Sequence, residues 1–185
     1  MSEEKKEYLP HGVIENEFLA RLNPEELEKI QKDIAYSMIR RKTFDDARVL
    51  KRWQIIIDAT ELDEGYQNEY YLSRCYNRGE ADEFTKYHRS VLEAKLYLGN
   101  NLVCSIASEA IQNSEEYINQ SEKKIKQDCE SKAFIRVAEK IKKQFPRLPI
   151  IITADGLYVS QKVIQTCTDN SWNYIIRYKK EVHHP

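Results

Sequence analysis

The sequence predicts an α/β layered protein built on a mixed sheet, and three observations carry that prediction. Two short β-branched runs, WQIIID (residues 53–58) and PIIITAD (residues 149–155), are apolar enough to read as strands buried on both faces, and each closes on an aspartate. Between them, Leu92, Ala94, Leu96 and Leu98 alternate with Glu93, Lys95 and Tyr97 up to Gly99-Asn100-Asn101, which is the pattern of a hairpin and its turn. A long helical stripe over 122–145 then returns the chain, so that the second aspartate strand can lie parallel to the first and beside it.

The remaining elements follow in order. Residues 1–22 are polar with scattered apolar positions and predict no firm structure. Asn23 as N-cap, Pro24 at the first helical position and Glu25 and Glu26 in the first turn open a helix. Leu27, Ile30, Ile34, Ala35, Met38 and Ile39 give it one apolar face, and Arg40, Arg41 and Lys42 suit its negative C-terminal end. Thr43 with Asp46 predicts a second capping signal and a short helix to about Lys51. Residues 61–90 are polar and tyrosine-rich and read mostly as loop, with a short strand at 70–72. The return strand of the hairpin spans 102–111.

In the long helix, Ile125, Cys129, Ala133, Phe134, Val137, Ala138, Ile141 and Phe145 form the apolar stripe, and Pro146 ends it. Its other face carries Lys123, Lys124, Lys126, Lys132, Arg136, Lys140, Lys142 and Lys143. Ser160 caps a helix to about Thr168, and Trp172, Tyr174, Ile176 and Tyr178 alternate as a last strand. The division expected is an N-terminal helical segment, 1–51, followed by an α/β domain, 52–185.

Composition narrows the function classes. A hydrophobic fraction of 41% permits a packed core, and no apolar run approaches the roughly 20 residues of a membrane span. The charged N-terminus is not a secretory signal, so the expected compartment is the cytoplasm, with no membrane partner. Lys and Arg (29) balance Asp and Glu (30), so nucleic-acid contact must come from local patches such as 40–42 and the basic face of the long helix. Solvated helix surface is the plainer reading of both clusters. Cys75, Cys104, Cys129 and Cys167 are far apart in sequence, and with His11, His88, His183 and His184 they make no zinc-ligand spacing.

The chemistry rests on the carboxylates. An aspartate is costly in a buried strand unless it is paired, hydrogen-bonded or on a metal, whereas at the C-terminal edge of parallel strands it faces the crevice where ligands bind. Asp58 and Asp155 on neighbouring strands would repel each other unless a cation sits between them, and hard oxygen donors favour Mg²⁺ or Mn²⁺. The plainer alternative is that each is a turn or N-cap residue. Glu61 and Asp63 are either supporting acids or loop charges, Asp128 and Glu130 are ligands or ion-pair partners, and Tyr158 packs beside the site or fills core.

Residues 53–60 (WQIIIDAT), 88–111 (HRSVLEAKLYLGNNLVCSIASEAI), 126–135 (KQDCESKAFI) and 145–158 (FPRLPIIITADGLY) resemble the DDE transposases of bacterial insertion sequences, over roughly residues 25–180. The resemblance implies a ribonuclease H-like core in which the first catalytic aspartate ends the first strand and the second ends the fourth, falling on Asp58 and Asp155. It also implies two-metal strand cleavage at an element end, attack of the freed 3′-hydroxyl on target DNA, and a homo-oligomer on transposon ends and target. The family's third acid, a glutamate on a helix beyond the last core strand, has no counterpart; Glu181 is the only acid after Asp169 and lies in a tail that fits no element. Only Cys75 stands where the family often carries paired cysteines. The expectation is therefore a core incomplete at its C-terminus and a chain inactive by itself. The competing expectations are a stand-alone ribonuclease H-like nuclease and a non-catalytic DNA-binding or oligomerisation remnant.

Overall fold

Why the two aspartate strands meet is visible in the pairing of the sheet. The computed structural model describes residues 12–65, 70–119 and 127–177. Strand β1 (Trp53–Gly65) pairs antiparallel with β3 (Phe84–Tyr97), and β3 pairs antiparallel with β4 (Val103–Ile111). On its other side β1 pairs in parallel with β5 (Ile150–Ala154), and β5 in parallel with β6 (Asn173–Ile176). The order is β4-β3-β1-β5-β6, with the short β2 (Leu72–Tyr76) continuing the β4 side of the long β3. An antiparallel meander extended by two parallel strands, with the first and fourth core strands adjacent when β2 is set aside as an addition, is the ribonuclease H-like arrangement expected.

Two helices supply the parallel returns. Helix α4 (Glu130–Gln144) leads from the meander into β5, and α5 (Gln161–Asp169) leads from β5 into β6. The stripe on α4 is the predicted one: Ala133, Phe134, Val137, Ala138 and Ile141 are buried. They meet Ile55, Ile57, Leu92, Ala94, Leu96 and Ile152 in a single core. Ser160 caps α5 by accepting a hydrogen bond from the Val163 N–H at 3.3 Å. Helix α2 (Pro24–Arg40) starts at the predicted Asn23 cap, where the side chain accepts from Glu25 N–H at 2.9 Å. Its Ala35 is fully buried in the same core, and the Tyr36 hydroxyl donates to the Gln144 carbonyl at 2.6 Å.

Several expectations change. Residues 12–21 form a helix, α1 (Gly12–Arg21), where none was expected. Thr43 and Asp46 do not open a helix; the chain makes one 3-10 turn at Asp45–Ala47 with no side-chain cap, and Leu50 and Lys51 then take positive φ. Stretch 61–90 is largely strand rather than loop: β1 runs on to Gly65, β2 follows, and β3 starts at Phe84. Tyrosine and threonine supply the β-propensity there that the lack of aliphatic residues concealed. The long helix begins at Glu130, with Cys129 as its extended N-cap, and positions 120–126 of the expected helix lie outside the described residues.

Strand β1 is buried on one face rather than the two expected, whereas β5 is buried on both, with Ile150, Ile151 and Ile152 all buried. Trp53, Ile55 and Ile57 of β1 are buried, while Gln54 and Ile56 are half-buried and Asp58 is exposed. On β6, the side chain of Ile175 is 54% exposed. A short helix, α3 (Glu115–Asn119), follows β4. After it, the Gln127 side chain clamps the Ser73 backbone, accepting from its N–H at 2.7 Å and donating to its carbonyl at 3.1 Å.

Candidate metal centre

The two aspartates come together through strand register. In the parallel pair, Ile55 stands beside Ile152 and Ile56 beside Thr153, so Asp58 and Asp155 lie at the same step, two residues further along neighbouring strands. Parallel partners at one step point to the same face. Both residues are exposed at that edge. Asp155 leaves the sheet directly after β5 and turns: one carboxylate oxygen accepts the Leu157 N–H at 2.9 Å and caps the 3-10 turn Gly156–Tyr158. The plain N-cap reading of Asp155 thus holds for one oxygen, and the second remains for a ligand. Asp58, by contrast, does not end its strand. It sits mid-way along β1, at the level where the parallel neighbour β5 stops.

The antiparallel side adds a carboxylate that sequence reasoning did not single out. Asp58 pairs directly with Glu93 across β1 and β3. Like charges directly opposite on one face of a sheet destabilise it. Lys95, two residues along the same strand, offsets part of this through its 3.0 Å ion pair with Glu93. Among the described residues, Asp58 has no ion-pair partner of its own. The hairpin alternation already put Glu93 on the polar face; what the sequence lacked was the register that sets it opposite Asp58.

Asp128 is a structural acid. Its side chain is 8% exposed and takes the Arg136 guanidinium at 2.7 Å, while it accepts the Gln112 N–H at 3.2 Å. Arg136 also holds Glu109 at 2.8 Å, and Lys140 joins Glu109 and Glu28 at 2.9 Å each. These pairs engage Arg136 and Lys140, two of the five basic residues on α4. Arg136 and Lys140 hold the helix onto β4 and α2, and their pKa values are raised, Arg136 chiefly by its Asp128 hydrogen bond. Arg40, Arg41 and Lys42 at the end of α2 stay exposed. Lys123, Lys124 and Lys126 lie outside the described residues, as does Glu181.

Glu61 lies on β1, not in a loop, and Asp63 continues the same strand. Glu61 lines a cleft of about 430 Å³, together with Arg74, His88, Ser90, Glu130 and Leu157. Tyr158 fills core, one of its two readings: it is 1% exposed, with its ring 6.2 Å from that of Phe134. Burial raises its pKa first, then the charge of Glu130, with Asp58 and Asp155 contributing less.

Among the described residues, no three His, Cys, Asp or Glu side chains converge into a finished metal cage. Mg²⁺ does not need one, because it is commonly held by one or two carboxylates with waters and substrate phosphates completing the shell. Two exposed carboxylates at one step, one with an uncommitted oxygen, fit such an ion on the chemistry of their donors. Among the described residues no helix is long and apolar enough to cross a membrane.

No protein-family model and no curated protein matches the chain. Among solved structures it is similar to the catalytic domain of the Mos1 mariner transposase, at 13% identity and a TM-score of 0.35, over 94% of this chain and 67% of that one.

Proposed function

We propose that this chain is a transposase-like protein of metal-dependent DNA phosphodiester chemistry, with Asp58 and Asp155 as its metal-binding acids. The observation that carries the reading is the equal step of those two residues on adjacent parallel strands. The resemblance of KQDCESKAFI and FPRLPIIITADGLY to insertion-sequence transposases supports strand cleavage and transfer over other phosphodiester reactions. Asp58 and Asp155 would hold Mg²⁺ or Mn²⁺, which when bound activates a water or 3′-hydroxyl and stabilises the leaving oxygen. The protein's part is positional. The Leu157 N–H fixes the Asp155 carboxylate, and the paired β1 backbone fixes Asp58. The exposed Arg40–Lys42 end of α2 is a described patch suited to DNA phosphates.

Isothermal titration of Mn²⁺ tests the acids: Asp58→Asn and Asp155→Asn should each weaken binding at least about tenfold. Parental affinity in both variants would refute the site. Joining of a pre-cut 3′-hydroxyl end to target DNA in the presence of Mn²⁺ identifies the transposase reaction, whereas cleavage without joining would point to a nuclease.

A further inference from the structure

Positive φ costs glycine nothing and asparagine little, but it strains a leucine or a lysine. Among the described residues outside 40–52, the positions that take it are Asn77, Gly79, Gly99, Asn100, Asn101 and the small Ser171. Within 40–52 they are Lys42 (φ 57°), Leu50 (51°) and Lys51 (62°). Lys42 stands just past the C-cap of α2, where glycine is the usual choice. Leu50 and Lys51 are the two central residues of a tight turn. Val49 and Arg52 close it by exchanging N–H to carbonyl hydrogen bonds, 2.9 Å each way. In such a turn Asn-Gly would sit without strain.

The turn is clamped as well as strained. The Arg48 guanidinium donates to the Lys51 carbonyl and lies 5.7 Å over the Trp53 ring. An exposed leucine alone needs no explanation, but one held rigidly at positive φ points to a role outside folding. Leu50 is 77% exposed, and its surroundings are cationic. Residues 40–52 carry six Lys and Arg against two Asp, in a chain of net charge −1. One of those acids, Asp45, is engaged by Arg48 at 3.6 Å. Arg40, Arg41, Lys42 and Lys51 are all exposed. Thr43 and Val49 line one cleft of about 570 Å³, so the end of α2 and the turn belong to one surface.

A single apolar side chain is too little for a stable protein interface, which buries roughly 800 Å² on each partner. It does suit a partner that offers phosphates to the cations and a base step to the leucine. We propose that residues 40–52 form a contact for duplex DNA, in which Leu50 wedges between two base pairs from the minor groove. Lys51, Arg40, Arg41 and Lys42 hold the flanking phosphates. Trp53, beside the turn, and Asp58 are about 17 Å apart along β1. The wedge therefore anchors and bends DNA away from the aspartate edge. The inference rests on the DNA reading above and not on the aspartates as metal ligands.

The test uses the whole chain in EDTA and an end-labelled duplex of about 30 base pairs with central TA steps, which unstack easily. Anisotropy at several salt concentrations gives affinity, and energy transfer between the ends gives bending. The parent should bind with an affinity that falls steeply with salt, and should bend the duplex. Leu50→Gly relieves the turn, so its Tm should hold or rise, while bending is lost and affinity falls at least about fivefold. Lys51→Gln should lower the salt slope by about one. Parental bending and affinity in Leu50→Gly overturn the wedge. An equal loss in Lys162→Gln, an exposed lysine on α5, marks diffuse charge and overturns the patch. Absence of DNA binding by the parent overturns the contact, and Mn²⁺ affinity lost in Asp58→Asn would then leave the metal reading standing.

Discussion

At the scale of single residues, charge and burial decide what each group does. Asp58 faces Glu93 across the strand pair, so its negative charge is a cost to the ion-free sheet. Asp58→Asn should therefore hold or raise ion-free stability, by up to about 1 kcal/mol, in chemical denaturation. Arg136 is the opposite case. It holds Asp128, Glu109 and the Ala110 carbonyl, and Arg136→Ala leaves the nearly buried Asp128 without its cation. A loss of about 2 kcal/mol is expected, in line with charged hydrogen bonds that are partly solvated. Cys167 is fully buried, and burial pushes its thiol up to about 11. The unfolded thiol ionises first, near about 8.5, so the stability tied to the neutral thiol is complete below that pH. It is lost as pH rises toward 11, because the unfolded chain then binds fewer protons than the folded one. Cys167→Ala should flatten that part of the stability profile, as measured by denaturation at several pH values.

At the scale of elements, long-range packing accounts for what local pattern left open. Helix α4 announced itself through its stripe, and Phe134, fully buried within it, should cost about 3–5 kcal/mol on truncation to alanine. Thermal or urea unfolding of Phe134→Ala checks this. The helix start was less legible, since Cys129 and the residues before it continue the apolar and basic pattern without a strong cap. Strand β1 was read as ending on Asp58 because its aliphatic run ends there. Backbone pairing with β3 carries it on to Gly65, although Ala59-Thr60-Glu61 offers only a weak strand signal. The same pairing explains why Asp58 is exposed rather than buried. Only one face of β1 meets the helices, so alternation along the strand puts Asp58 on the open side.

At the scale of the whole molecule, the topology sets the two aspartates at one step. Aspartates 97 positions apart in sequence stand at one step because a meander and one helical return bring β5 to lie parallel beside β1. That adjacency was legible in the chain from two apolar runs, a hairpin and a long amphipathic helix. Glu93 opposite Asp58 was not, since strand register places it, which no local spacing encodes. Two members of the basic face of α4, Arg136 and Lys140, are turned inward to acids on β4 and α2, which no local spacing encodes. The most direct test of the account is to replace Mg²⁺ by Fe²⁺ and map where hydroxyl radicals cut the chain. Cuts clustered near residues 58 and 155, and suppressed by excess Mg²⁺, are the result the account predicts. Cuts elsewhere, or cuts near those residues that persist in Asp58→Asn, would contradict it.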